Sequence, residues 1–163
     1  MVSFPMAKLV FMVVLSGLIL ASEQCQDSCP DGWKGFNDRC FKHFPQQWDW
    51  VQAESFCVSQ GGNLASVHSA EEFQFLKDLC KAADPQENPF WIGLTDCHKE
   101  GTWMWSDGSK VDYQHWNSGE PNNLNEEDCV HSTWSVQKMW NDIPCTYQYR
   151  FICVQRSDPA GRA

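Results

Sequence analysis

Positive charge is scarce in this sequence. Its 12 lysine and arginine residues face 21 aspartate and glutamate residues, which gives a formal net charge of -9. Proteins that bind nucleic acid need basic surfaces to neutralise phosphates. We therefore expect no nucleic acid among the partners of this chain.

Motifs for catalysis and zinc binding are missing as well. The chain has no CxxC pair, no HExxH helix, no G-x-S-x-G elbow and no phosphate-binding glycine loop. These patterns carry zinc sites, hydrolase nucleophiles and nucleotide binding. No Asn-x-Ser/Thr sequon occurs either, so N-glycosylation is not expected. The sequence thus favours a protein that is not an enzyme.

Long apolar runs are absent after the first 21 residues. Residues 1–21 resemble a signal peptide, with Lys8, an apolar core from Leu9 to Leu20, and Ala21 as a small residue for cleavage. An uncleaved membrane anchor is the alternative, but the core is shorter than the roughly 20 residues of a spanning helix. The sequence predicts a secreted, extracellular chain without a membrane span.

Cysteine is abundant, in contrast. Nine cysteines behind a signal peptide indicate disulfide bonds. Because nine is odd, at least one thiol is free or pairs with another chain. The cysteines are Cys25, Cys29, Cys40, Cys57, Cys80, Cys97, Cys129, Cys145 and Cys153.

The first half of the chain predicts a hairpin and two helices. A short polar lead-in, residues 22–28, comes before strands at 33–36 and 39–44. Asp49 with Gln52, and Ser69 with Glu72, have the spacing of capping boxes. The helices that they begin should run from residue 50 to 60 and from residue 70 to just before Pro85.

The second half predicts strands around one long loop. Residues 90–94 are apolar almost throughout, which is typical of a central strand. Further strands are expected at 103–105, 129–134, 139–140 and 149–154. The stretch from residue 106 to 128 lacks periodicity, and long loops inside compact domains are often functional. One domain, 29–154, with a C-terminal tail, 155–163, accounts for the chain.

Carboxylates and side-chain amides are concentrated in that loop. Glu120-Pro-Asn-Asn-Leu-Asn-Glu-Glu-Asp-Cys129 is followed by a second acid–amide pair in Trp140-Asn-Asp142. Oxygen donors without thiol or imidazole partners suit Ca2+, which takes six to eight oxygen ligands. A solvated acidic loop is the alternative, and the interleaved asparagines favour the metal.

These motifs together resemble a C-type lectin domain. The matching features are the segment 91–94 (Trp-Ile-Gly-Leu), the triplet 120–122 (Glu-Pro-Asn), the triplet 140–142 (Trp-Asn-Asp) and the cysteine spacing. The resemblance implies an α+β fold in which two helices flank small antiparallel sheets and a long calcium-binding loop. It also implies disulfides Cys29–Cys40, Cys57–Cys153 and Cys129–Cys145. We pair Cys80 with Cys97 and leave Cys25 for a partner chain, as in a disulfide-linked homodimer.

The resemblance further implies a Ca2+ site that also binds sugar. Its five ligands would be Glu120, Asn122, Glu127, Asn141 and Asp142, with a cis peptide before Pro121. The first four would also hydrogen-bond sugar hydroxyls. Glu-Pro-Asn resembles the mannose, N-acetylglucosamine and fucose type, whereas Gln-Pro-Asp accompanies galactose.

A second Ca2+ position in the family would fall on four further residues of this chain. They are Asp96, Glu100, Asn123 and Asp128, with Glu127 shared. Asn123 stands where an acidic ligand is often found, so a merely solvated turn explains these residues equally well.

The function implied is recognition of mannose-type glycans, such as those of microbial surfaces in innate immunity. Fish type II antifreeze proteins also resemble this chain in their extra cysteines, so ice binding is the alternative. A flat, threonine-rich face would favour ice, yet the chain has only Thr95, Thr102, Thr133 and Thr146. A domain that had lost sugar binding would show broken calcium ligands, which is not the case here.

Overall fold

The computed structural model describes residues 29–134 and 136–157. The signal peptide predicted over 1–21, the lead-in with Cys25 and residues 158–163 of the predicted tail lie outside the described residues. Among the residues described, no helix has both the length and the apolar character needed to cross a membrane.

Two helices and eight strands make up the described part of the chain. The helices are α1 (Trp50–Ser59) and α2 (Ala70–Ala83). The strands are β1 (Lys34–Phe36), β2 (Arg39–Trp48), β3 (Asn63–Leu64), β4 (Phe90–Thr95), β5 (Met104–Trp105), β6 (Cys129–Trp134), β7 (Met139–Ile143) and β8 (Tyr149–Arg156). β8 thus extends past the predicted domain end at residue 154.

The cap of α1 forms as its sequence predicts, whereas that of α2 forms only in part. The Asp49 side chain accepts from the Gln52 backbone, and the Gln52 side chain accepts from the Asp49 backbone. In α2, Ser69 accepts from the Glu72 backbone at 3.1 Å. Glu72 instead accepts from the backbone N–H of His68, at 2.8 Å. Its carboxylate is drawn away by the Arg39 guanidinium, 2.7 Å distant, because a charged donor forms the stronger hydrogen bond.

The strands form a single mixed sheet rather than separate antiparallel sheets. The strand order is β1-β2-β8-β4-β6-β7, with β3 added to β8 and β5 to β4. β4 pairs in parallel with β8 and antiparallel with β6. All six residues of β4 are buried, which confirms the central strand predicted from its apolar sequence.

Tryptophans fill much of the core. Trp91, Trp105 and Trp140 are among the largest fully buried side chains. Trp140 packs edge-on against Trp105 at 5.8 Å and against Trp116 at 5.9 Å between ring centroids. Edge-to-face pairs of this kind stabilise beyond their buried area. Since Trp140 begins the Trp-Asn-Asp triplet, this packing fixes the start of the candidate site.

Three disulfide bonds have the pairing implied by the resemblance: Cys29–Cys40, Cys57–Cys153 and Cys129–Cys145. The predicted fourth bond, Cys80–Cys97, is wrong, since both cysteines are free thiols. Cys80 Sγ lies 3.9 Å from the carbonyl of Asn88, which precedes β4, whereas Cys97 follows the end of β4. A six-residue strand spans about 20 Å, far beyond the Cα separation of a disulfide.

Candidate functional site

The sheet edge and the long loop meet at β7. The backbone N–H of Trp140 donates to His115 O, and the N–H of Asn117 donates to Trp140 O, each at 2.9 Å. The disulfide from Cys129 to Cys145 joins the start of β6 to the chain after β7. These bonds hold the loop over the side chains of Asn141 and Asp142.

The side chain of Asp142 holds the Glu-Pro-Asn segment through backbone N–H groups of the loop. The carboxylate is fully buried and accepts from the N–H of Asn122 at 3.0 and 3.1 Å. It also accepts from the N–H of Asn123 at 2.8 Å. The peptide bond between Glu120 and Pro121 is cis, as the resemblance implies.

Side chains of the loop complete the cluster. Asn122 Nδ2 donates to Glu120 Oε2. The Leu124 N–H donates to Asn122 Oδ1 at 2.8 Å and to Glu127 Oε2 at 3.0 Å. Asn122 is exposed, whereas Glu120 and Glu127 are half-buried. An open amide between two partly desolvated carboxylates can both donate to and accept from a polyhydroxyl ligand.

Asn141 contributes differently from Asn122. Its side chain is only 8 % exposed. Nδ2 donates to the Asp142 carbonyl at 2.7 Å and lies 3.3 Å from His131 Nε2. Both amide hydrogens are used in these contacts, so neither is left for a sugar hydroxyl, and Oδ1 is the remaining polar atom. Donation from Asn141 to a sugar hydroxyl, which the resemblance implies, would require one of these two contacts to be given up.

Burial and repulsion together change the acidity of the carboxyl groups at this site. Burial, followed by hydrogen bonding and repulsion from Asp142, raises the pKa of Glu120 above its ordinary value. Burial also raises the pKa of Glu127, again with repulsion from Asp142. Carboxyl groups that repel one another in this way are stabilised by a cation placed between them.

The four residues of the second predicted position also lie together. The N–H of Asp96 donates to Asp128 O at 3.1 Å, which brings the end of β4 to the end of the long loop. Carboxylate oxygens of Asp96, Glu100 and Asp128 lie within 4.8 Å of one another. Asn123 Nδ2 joins them by donating to Glu100 Oε2 at 2.6 Å.

This second cluster carries an orphaned buried oxygen. Asp96 Oδ2 accepts from the Gly101 N–H at 2.8 Å, but Oδ1 is buried without a hydrogen-bond partner. Burial raises the pKa of Asp96, and repulsion from Asp128 adds to the shift. Burial and the charge of Asp96 also raise the pKa of Glu100. A buried carboxylate oxygen beside two further carboxylates fits a hard cation such as Ca2+.

Two features of the site could not be read from the sequence pattern. One is the contact of Asn141 with His131, a histidine without any motif around it. The other is the use of Asp142 as an acceptor for loop backbone. The cross-strand position of His131 opposite Asn141 depends on the β6–β7 register, and sequence spacing alone does not fix that register.

Known proteins share this architecture. The family model described as Lectin C-type domain matches residues 46–155. The lactose-binding lectin l-2 of Anguilla japonica is 44% identical over 166 residues, covering 96% of this chain and 98% of the relative. A C-type lectin mannose-binding isoform of Oxyuranus scutellatus is 40% identical over 157 residues, covering 91% of this chain and 96% of the relative.

A solved structure from a third kind of protein is similar as well. The herring type II antifreeze protein is 39% identical, with a TM-score of 0.75. The superposition covers 80% of this chain and 100% of the herring protein. The same fold therefore occurs in proteins described as binding lactose, as binding mannose and as antifreeze.

Proposed function

The chain belongs to the C-type lectin domain family, and we propose that it is a secreted, calcium-dependent lectin for mannose-type sugars. Glu120, Asn122, Glu127, Asn141 and Asp142 would hold the ion, which would supply positive charge and open coordination places for sugar hydroxyls. The observation that carries the proposal is the exposed amide of Asn122 beside the Glu120 carboxylate. The Asp142 carboxylate supports that arrangement by accepting a hydrogen bond from the backbone N–H of Asn122.

The donors and acceptors of the loop have a definite order. Glu120 and Glu127 can accept hydrogens from sugar hydroxyls, and Asn122 keeps one amide hydrogen to donate to a hydroxyl oxygen. Asn141 supplies Oδ1 to the cation, because its two hydrogens are used within the sheet. The loop residues thus form the hydrogen bonds to the sugar, and Asn141 of β7 contributes only to metal binding.

The sugar class that we propose rests on the resemblance of the triplet and on its order of carboxylate and amide. In the Glu-Pro-Asn order the carboxylate precedes the amide, and a Gln-Pro-Asp order reverses the two. The vicinal hydroxyls of mannose, N-acetylglucosamine or fucose suit the order in this chain. Relatives described as binding lactose and as binding mannose both exceed 39% identity, so overall similarity does not choose between the two classes.

A second ion at Asp96, Glu100, Asn123 and Asp128 would stabilise the loop where it meets the end of β4. It would relieve the repulsion among the carboxylates and satisfy the buried oxygen of Asp96. Removing that repulsion would favour the ordered loop.

The biological role that we propose is recognition of microbial glycans outside the cell. Single shallow sugar sites bind weakly, and linking several of them raises the overall avidity. Cys25, outside the described residues, would join two chains through a disulfide. Electrophoresis without reductant should show a dimer that Cys25→Ser converts to monomer.

Retention on immobilised sugar tests the lectin proposal. The refolded chain from residue 22 should bind mannose-agarose in millimolar calcium and elute with EDTA, while galactose-agarose retains little. An Asn122→Ala variant should pass through both resins. Equal passage of the parent chain through both resins would contradict the proposal.

Ice binding is the second candidate, favoured by the similarity to the herring antifreeze protein. Thr95 is buried and offers nothing to an ice surface, while Thr102 and Thr146 are exposed. Thermal hysteresis of the calcium-loaded chain tests this candidate. Hysteresis together with a lack of sugar retention would replace the lectin proposal by ice binding.

A further inference from the structure

We infer that His131 is a positioning residue, which fixes the side-chain amide of Asn141 so that Oδ1 faces the proposed cation. The inference rests on the proposed function, since it assigns a role toward the calcium ligands. It adds a residue that lies outside the Glu-Pro-Asn and Trp-Asn-Asp motifs.

The orientation of the Asn141 amide follows from its neighbours. The Asp142 carbonyl oxygen can only accept, so the atom 2.7 Å from it must be the amide nitrogen. That same nitrogen lies 3.3 Å from His131 Nε2. An amide nitrogen can only donate, so Nε2 must be the acceptor and carries no proton.

Register places the two side chains on one face of the sheet. His131 of β6 stands directly opposite Asn141 of β7 and directly opposite Trp91 of β4. Residues that face each other across antiparallel strands point to the same side. A row of three side chains therefore runs from the central strand to the proposed metal site.

Aromatic packing holds the imidazole in this position. The His131 ring is stacked on Tyr149, with centroids 5.0 Å apart and an interplanar angle of 6°. Trp91 packs edge-on against both rings, at 6.3 Å from His131 and 5.0 Å from Tyr149. Trp91 is itself anchored, because its Nε1 donates to the Trp48 carbonyl at 2.9 Å.

The consequence concerns the amide of Asn141. Without an acceptor at residue 131, one amide hydrogen would be buried without a partner, and only the bond to the Asp142 carbonyl would hold the amide. The amide could then tilt about that one bond, and Oδ1 would no longer be fixed toward the cation. Groups that orient metal ligands typically change metal affinity about 10–100-fold when removed.

Three variants test this role by calorimetric titration with calcium. His131→Phe keeps a ring for Tyr149 but removes the acceptor, and should weaken calcium affinity about 10–100-fold. His131→Gln offers a carbonyl oxygen and should restore most of the affinity. His43→Phe, a histidine on β2 away from the proposed ligands, should leave the affinity unchanged. An unaltered affinity in His131→Phe would overturn the inference.

Two further readouts separate positioning from a structural effect. The Tm of the metal-free His131→Phe chain should stay close to that of the parent. In the parent, nitrogen NMR should show His131 Nε2 without a proton, and a protonated Nε2 would overturn the inference even if the variant failed to fold. If the parent binds no calcium, the proposed function fails first and the inference with it.

Discussion

The Asp142 carboxylate accepts two contacts from the backbone N–H of Asn122, at 3.0 and 3.1 Å. One buried residue of β7 thus holds the triplet that begins at Glu120 and ends at the exposed Asn122. Because Asp142 is also a proposed calcium ligand, metal binding and loop geometry depend on the same side chain. This link explains how a loop without secondary structure can present a defined set of donors and acceptors.

Replacing the Asp142 carboxylate should weaken both calcium binding and the support of the loop. Asp142→Asn puts an amide where the N–H groups of Asn122 and Asn123 need acceptors, and it removes one charge from the site. We expect calcium binding to be lost and the free energy of unfolding without metal to fall by about 1.5–3 kcal/mol. Urea denaturation in EDTA and calorimetry measure the two effects.

Asp78→Asn is the matched control, since Asp78 is exposed on α2. It should change neither calcium binding nor stability by more than about 0.5 kcal/mol. Undiminished calcium binding in Asp142→Asn would remove Asp142 from the ligand set.

Calcium should stabilise the chain more at neutral than at acid pH. The pKa values of Glu120, Glu127, Asp96 and Glu100 are raised in the metal-free fold. A raised carboxyl pKa means that the fold binds protons more tightly than the unfolded chain. The ionised groups therefore lower the free energy of unfolding. This loss is absent below the pKa that the groups have in the unfolded chain and complete above the pKa that they have in the folded chain.

Calcium needs those groups ionised and relieves their repulsion. The increase in Tm on adding calcium should therefore be larger at about pH 7 than at about pH 4.5. Measuring the increment at each pH cancels the titration of carboxyls elsewhere, such as Asp107, whose pKa is lowered. An increment that grows as the pH falls would contradict the proposed ligands.

The second cluster predicts a stoichiometry. Asp96→Asn retains an acceptor for the Gly101 N–H but removes the charge beside Glu100 and Asp128. We expect two bound calcium ions per parent chain and one per variant, with sugar retention weakened rather than abolished. Calorimetry gives the number of ions directly. A parent chain with one ion that Asp96→Asn still binds would exclude the second site.

The two free thiols among the described residues should differ sharply in reactivity. Cys97 is exposed, with His98 Nδ1 3.1 Å from its sulfur. Cys80 is buried, and burial raises its thiol pKa to about 12. Because the thiolate is the reactive form, an alkylating reagent should label Cys97 in the native protein and Cys80 only after unfolding.

Peptide mapping by mass spectrometry assigns each label in a Cys25→Ser background. Cys97→Ser should abolish the native label, and Cys80→Ser should leave it unchanged. A disulfide-linked peptide containing both Cys80 and Cys97 would contradict the pairing described above.

The order of carboxylate and amide should control which sugar is bound. In Glu120→Gln/Asn122→Asp the amide precedes the carboxylate, which reverses donors and acceptors at those two positions. We expect retention to move from mannose-agarose to galactose-agarose. The single variant Glu120→Gln should weaken mannose retention without creating galactose retention. A double variant that keeps the parent's preference would show that other residues set the sugar class.

Local patterns predicted much of the fold. The Asp49 capping box, the buried run of β4 and the turn before β2 are each determined by a few neighbouring residues. Such short-range chemistry is visible in a sequence. The resemblance supplied the three disulfides and the residues that gather around the loop, which spacing alone would not have paired.

Features that depend on long-range competition were not predictable in this way. The Glu72 carboxylate turns to Arg39 and the His68 N–H because a guanidinium from β2 lies beside it. Cys80 and Cys97 fail to pair because β4 separates them. The role inferred for His131 depends on strand register. For Glu72 and His131 the deciding partner is remote in sequence, and for the two cysteines the deciding factor is the direction in which β4 runs between them.

Chromatography on immobilised mannose tests the central claim most directly. The mature chain would be loaded in millimolar calcium, washed, and eluted with EDTA, with galactose-agarose in parallel. The account predicts retention on mannose, release by EDTA and little retention on galactose. Passage through mannose-agarose by a chain that binds calcium in calorimetry would contradict it.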